Sequence, residues 1–239
     1  MTCDIPLEHE ELVESLLATY DESLETVTLF RDQLFTALDS WGELAPHVHS
    51  MKTRIKERDD LCRKIVRKIA EASERSVAFD VSPENLLTRI NDIAGVRLLH
   101  LYTRQIKDID VALKNLFDEL KYDLIEGPFA RTWDDESREF FESCGIETQE
   151  SPTLYTSVHY VIGSASRTTV TCEIQVRTLM EEVWGEVDHA INYPTPTTVV
   201  ASAEQIKVLA RVTSSATRLV DSIFLTHEAT NESSSNASA

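Results

Sequence analysis

Glycine is scarce in this chain. It occurs six times in 239 residues, well under half the usual ~7%. Neither a dinucleotide-binding glycine fingerprint nor a P-loop signature is present, so no glycine-rich backbone loop can cradle a phosphate here. Cysteine is also sparse. Cys3, Cys62, Cys144 and Cys172 are scattered, with no CxxC pair, which disfavours a zinc cluster and reads as free thiols in a reducing compartment. No apolar run approaches the ~18–20 residues of a membrane span. Met1-Thr2-Cys3-Asp4 lacks the basic and apolar regions of a secretory signal, so a cytoplasmic location is expected. Bases are short as well: 23 Lys and Arg stand against 41 Asp and Glu, for a net charge of −18. A field of that sign repels DNA, RNA and anionic membrane.

Apolar residues make up 42% of the chain, enough to bury the core of one domain with appendages. The charge is unevenly placed. Residues 1–51 hold eleven carboxylates and a single base, Arg31. Residues 52–68 then hold eight bases against three carboxylates. A basic patch on an acidic body suits an anion site; it equally reads as a solvated helix face with i,i+4 pairs.

Apolar spacing predicts a long amphipathic helix over 8–41, a second over 52–75 and a third from Ser82-Pro83-Glu84 to Asn91. Strands are expected at 95–102, 122–126, 155–162 and 170–177, and helices at 106–120, 178–191 and 203–225. Residues 127–153 read as irregular, with a short helix at 135–143, and 228–239 as a disordered tail. The order gives an α+β domain with flanking helices. Its expected divisions are an acidic N-terminal helix (1–50), a mixed domain (51–195), a C-terminal helix (196–227) and the tail.

Four constellations can carry chemistry. In the first, Arg54 and Lys56 would lie about 200° apart on a helix, so joint use on one ligand needs an extended segment at Arg54 before the helix that carries Lys64. In the second, Asp92 sits at the turn entering an apolar strand that contains Arg97. Asp92 alone reads as a turn residue, while Arg97 needs a partner if buried. In the third, Tyr155, Ser157 and His159 share one strand face, suited to stacking on a base or equally to a half-exposed polar surface. In the fourth, Glu173, Gln175 and Arg177 share one face of the next strand, with Ile174 and Val176 on the other. Such a row makes sense as the floor of a polar site. If Asp92 and Glu173 lie on neighbouring strand ends, they could supply oxygen ligands to Mg²⁺. Glu182, Glu186 and His189 fall on one polar helix face, and His189 reads as a satisfied histidine rather than a metal ligand.

These pieces, in this order, resemble the RelA/SpoT-like synthetase domain, the family of alarmone synthetases. The matching residues are Arg54-x-Lys56 with Lys64, Asp92-Ile-Ala-Gly-Val-Arg97, Tyr155-Thr-Ser-Val-His159, and Glu173-Ile-Gln-Val-Arg-Thr178 leading into Glu186-Val-Asp-His189. They cover roughly residues 50–195. The resemblance implies a nucleotidyltransferase-like mixed sheet and a GTP pyrophosphokinase that moves the β,γ-pyrophosphate of ATP to the 3′-hydroxyl of GTP or GDP. It implies that Arg54, Lys56 and Lys64 hold ATP, with Arg54 near the adenine. Asp92 and Glu173 would bind Mg²⁺, and Glu173 would also orient or deprotonate the acceptor hydroxyl. Tyr155 would stack on the acceptor base, His159, Gln175 and Arg177 would line the acceptor and phosphate site, and Arg97 would support it.

The chain departs from the family pattern in two places. Many members carry a Lys and an Asn-Gly just before the tyrosine; here the stretch is Gln149-Glu150-Ser151-Pro152-Thr153-Leu154. Arg131 or Arg138, in the irregular segment, is then the candidate to replace the missing base. The serine usual in the first motif is Asp60. No HD hydrolase signature is seen, so a small single-function synthetase is expected, with homo-oligomer formation through its terminal helices. Two alternatives remain open at this stage: a toxin-like relative acting on an adenosine nucleotide or a tRNA 3′ end, and a non-catalytic nucleotide-binding relative.

Overall fold

The computed structural model describes residues 5–166 and 168–236. A 3-10 turn at Leu7–His9 leads into helix α1 (Glu10–Ser40). Strand β1 (Ser50–Ile55), helix α2 (Arg58–Glu74), the single turn α3 (Leu86–Arg89) and strand β2 (Ala94–His100) follow. Then come α4 (Ile106–Leu120), β3 (Asp123–Thr132), α5 (Asp135–Ser143), β4 (Glu147–Glu150), β5 (Ser157–Gly163), β6 (Thr171–Thr178), α6 (Leu179–Asn192) and α7 (Val200–Asn236).

The six strands form one mixed sheet in the order β1-β2-β6-β5-β3-β4. The β2–β6 and β3–β4 pairs are parallel and the other three antiparallel. The α+β class with long terminal helices is as expected. One sheet face is the core: Val96, Leu98, Val158, Tyr160, Ile174 and Val176 are buried with the apolar stripes of α1, α2 and α4. α1 earns this place through Val13, Leu17, Tyr20, Val27, Leu34 and Leu38, buried at helical spacing. A second, small cluster of Trp184, Ile206 and Ala210 packs α6 on α7 beside Tyr155.

Four expectations need correction. Residues 52–75 do not form one helix, because β1 occupies the start. β1 is an edge strand whose middle residues are exposed, so it carries no apolar alternation. The helix placed at Ser82 is a turn, with Asn85 Oδ1 accepting from the Ser82 N–H at 2.8 Å, and only Leu86–Arg89 is helical. The segment 127–153 is ordered: β3 continues through Thr132 across register shifts, and β4 adds an edge. Finally, α7 runs on to Asn236, past the residue where a disordered tail was expected; Thr226 and Thr230 return their hydroxyls to carbonyls one turn back. The cysteine reading also changes, since Cys144 and Cys172 are free while Cys62 is disulfide-bonded.

Candidate functional site

The second sheet face is polar, and its register sets out the site. One row across the strands pairs Lys52 with Arg97, Arg97 with Gln175, Gln175 with His159, and His159 with Phe129. The neighbouring row pairs Arg54 with Gly95 and Gly95 with Glu173. Five strands thus bring residues far apart in sequence onto one surface, part of which forms the floor of a cleft of about 1760 Å³ counted to its open mouth. α2 and α6 supply its walls. Arg54, Asp60, Asp92, Arg97, Tyr155, Glu173, Gln175 and Arg177 all line it.

Arg54 is extended on β1, as its separation from Lys56 required. Lys56 follows the strand; its N–H bonds Ile93 O at 2.8 Å, and its carbonyl accepts from the buried Tyr20 hydroxyl at 2.6 Å. These two backbone bonds aim the side chain inward. Lys56 Nζ lies 3.2 Å from Asp92 Oδ2, and Lys64 Nζ lies 2.6 Å from Asp92 Oδ1. Burial lowers the pKa of Lys56, against the pull of the Asp92 charge. For Asp92, burial opposes the charge but the two lysines outweigh it, so the carboxyl sits below its ordinary value. The Lys64 ammonium is thus the close neighbour of the buried Oδ1.

Glu173 lies on the adjoining strand. His159 Nδ1 meets Glu173 Oε1 at 2.9 Å, and Gln175 Nε2 donates to Oε2 at 2.8 Å. Burial would raise this carboxyl, and the nearby Asp92 charge adds to that; contact with His159 and the bond from Gln175 win, and the pKa is lowered. His159 stacks flat on Phe129, with centroids 5.2 Å apart and planes at 6°. Its Nε2 is buried with no partner.

Tyr155 precedes β5 rather than lying in it. Its hydroxyl reaches Gln175 Oε1 at 3.4 Å, and the Arg177 guanidinium sits 5.6 Å from its ring centroid. Arg97 has the partner its position demanded. Glu182 accepts from Arg97 Nη1 at 2.8 Å and from Lys52 Nζ at 2.7 Å. It also accepts from Arg177 Nε at 2.6 Å. Burial is outweighed by these donors and charges, and the Glu182 pKa falls to about 2. The adjacent Glu181 is equally buried but lacks such donors, and burial pushes it up to about 7. Thr178 sets this arrangement by capping α6 at the end of β6, which places Glu182 over Arg177. Gly185 leaves the space: a Cβ there would fall 2.8 Å from Arg177 Nη1.

The family model for a region found in RelA and SpoT proteins matches residues 53–198. This chain belongs to the RelA/SpoT family. No curated protein matches the sequence. Among solved structures, the fold is similar to that of small alarmone synthetase 1 from Bacillus subtilis bound to its product pppGpp, at 18% identity and a TM-score of 0.54, covering 90% of this chain and 97% of that one. It is also similar to a GTP pyrophosphokinase family protein from Streptococcus pneumoniae, at 17% identity and a TM-score of 0.55, covering 92% and 94%. The Bacillus subtilis synthetase 1 bound to AMPCPP matches at 17% identity and a TM-score of 0.53, covering 90% and 97%.

Within this RelA/SpoT domain Arg54, Asp92, Arg97, Tyr155, Glu173, Gln175 and Arg177 line the cleft, Lys56 and Lys64 reach it through Asp92, and the buried His159 through Glu173, whereas Ser157 turns away to the Val176 carbonyl and neither substitute base enters. Arg131 lies over Phe129, 5.5 Å from the centroid, and the half-buried Arg138 pairs with Asp135. Sequence reasoning missed Lys52, the central place of Glu182, and Tyr193. The one available signal was for Glu182: a carboxylate in the first turn of a helix that directly follows a strand ending in Arg.

Proposed function

We propose that this protein is an ATP-dependent pyrophosphokinase that makes (p)ppGpp from GTP or GDP. The observation that carries this is the pair of opposed carboxylates in one cleft: Asp92 flanked by Lys56 and Lys64, and Glu173 held between His159 and Gln175. In this reading the 3′-oxygen of the acceptor attacks the β-phosphorus of ATP. The bond from that phosphorus to the α,β-bridging oxygen breaks, and AMP leaves. Glu173, held ionised by its partners, takes the 3′-hydroxyl proton. Arg54, Lys56 and Lys64 bind and orient ATP, and their charge offsets the charge that develops on the phosphates. Tyr155 stacks on the acceptor base, Gln175 and Arg177 line the acceptor pocket, and the buried His159 acts through Glu173. Glu182 fixes Arg177 and Arg97 in place.

A divalent metal suits the donor set. Two carboxylates are what Mg²⁺ takes from a protein when phosphates and waters fill its remaining positions, and Asp92 and Glu173 both line the cleft. Bound there by Asp92 and Glu173, Mg²⁺ would supply charge neutralisation to the transferring group.

The deciding experiment incubates the purified chain with γ-labelled ATP, Mg²⁺ and, separately, GDP, GTP, adenosine nucleotides and tRNA. Label on GDP or GTP is the expected result. Label on an adenosine nucleotide or a tRNA 3′ end keeps the chemistry and changes the acceptor. No transfer to any of them overturns the proposal.

A further inference from the structure

Asp60 puts a negative charge into a cleft read as binding a triphosphate, at a position where the family pattern has serine. Its surroundings give that charge a use. The carboxylate lies in the first turn of α2 and is largely enclosed. Arg54 Nη2 donates to Oδ2 at 3.1 Å, while Arg63 Nη2 and the Tyr193 hydroxyl both donate to Oδ1. Tyr193 follows directly on α6. Its ring stacks on His189, with centroids 4.5 Å apart and planes at 13°, and the Arg63 guanidinium lies 5.6 Å from its centroid. A closed circuit therefore runs from β1 through α2 to the end of α6. Arg54, Asp60, His189 and Tyr193 all line the same cleft.

An arginine on an exposed edge strand samples many rotamers, and ordering it costs conformational entropy. A guanidinium bonded to a carboxylate along one edge keeps its flat face free while losing that freedom in advance. We infer that Asp60 and Tyr193 form a clamp across one end of the cleft that positions Arg54 for the base of the donor nucleotide. The inference rests on the reading of Arg54 as a donor-nucleotide residue. The protonation states agree with it. Burial disfavours the Asp60 charge, but bonds from Tyr193 and Arg63 prevail and its pKa is lowered. Burial raises Tyr193, and Asp60 raises it further, so at neutral pH the carboxylate is ionised and the phenol keeps the proton it donates.

The test is calorimetric titration of the full chain with α,β-methylene-ATP and Mg²⁺, together with steady-state kinetics. Asp60→Asn should weaken binding about tenfold and raise the KM for ATP similarly, with kcat changed less than about twofold. Asp60→Glu should recover most of the loss. Tyr193→Phe should weaken binding about threefold, and the double variant should bind no more than about twofold worse than Asp60→Asn, because both act through one circuit. If Asp60→Asn fails to fold, Tyr193→Phe carries the test through its KM-to-kcat split. Binding by the unaltered chain with no loss in the variants, tighter binding by Asp60→Asn, or additive losses overturns the clamp alone. No binding by the unaltered chain overturns the donor-site reading and the clamp with it.

Discussion

The two halves of the cleft are built on different principles. On the side of β1, β2 and α2, five bases draw carboxylates from other elements: Arg54 has Asp60, Lys56 and Lys64 share Asp92, and Lys52 and Arg97 share Glu182. On the side of β5 and β6, rings and an amide dominate: Tyr155, His159, Phe129 and Gln175 gather around one carboxylate, Glu173, with the Arg177 guanidinium against the Tyr155 ring. The first half is shaped by charge pairs that fix long, flexible side chains before any ligand arrives. The second is shaped by stacking, which tolerates exchange of one flat ligand for another. The contrast explains how a chain of net charge −18 can still present a basic wall in one cleft: several of its scarce bases are gathered there and held.

The comparison can be broken at its strongest point first. Glu173→Gln keeps the shape of the acceptor half but removes the proton acceptor. Transfer should fall by at least about 10³-fold, while affinity for ATP, set by the other half, should stay within about threefold. Surviving activity would sink the assignment. Next, Tyr155→Ala should raise the KM for the acceptor about tenfold and leave the KM for ATP unchanged, whereas Tyr155→Phe should be near neutral, since its hydroxyl makes only a 3.4 Å contact. Equal effects on both substrates would dissolve the division between halves.

The smallest effect is on stability. The folded-state pKa of Glu181 is raised to about 7, so the folded chain binds the proton more tightly than the unfolded one. Its contribution is therefore present at low pH and lost as pH rises from about 4.5 through 7. Glu182 runs the other way: its contribution is present above about 4.5 and lost toward about 2. Between pH 5 and 8 only Glu181 should act. Thermal melts of Glu181→Gln should gain roughly 2–4 °C on the unaltered chain by pH 8, for about 1 kcal/mol. Parallel curves would show that the group does not titrate in this range.

Much of the polar floor was legible because a strand's period of two separates Glu173, Gln175 and Arg177 from Ile174 and Val176. The extended state of Arg54 followed from the angle between positions 54 and 56 on a helix. The edges were less legible. β1 and β4 have no buried residue, so no burial pattern marks them, and the register shifts of β3 near Gly127 and Pro128 break its alternation. The contacts of Glu182 with Lys52 and of Tyr193 with Asp60 join residues 130 and 133 positions apart. Local periodicity holds no record of such pairs; only the completed sheet and its neighbouring helices bring them together.

Gly185 gives the position of Arg177 a second address in the sequence. A glycine inside a helix is about 0.8–1.0 kcal/mol worse than alanine, and this chain uses few glycines anywhere. Here the bare Cα is the seat for a guanidinium from another element. The smallest added methyl would therefore act as a steric handle on Arg177, moving the charge at the floor of the cleft without altering any charged residue.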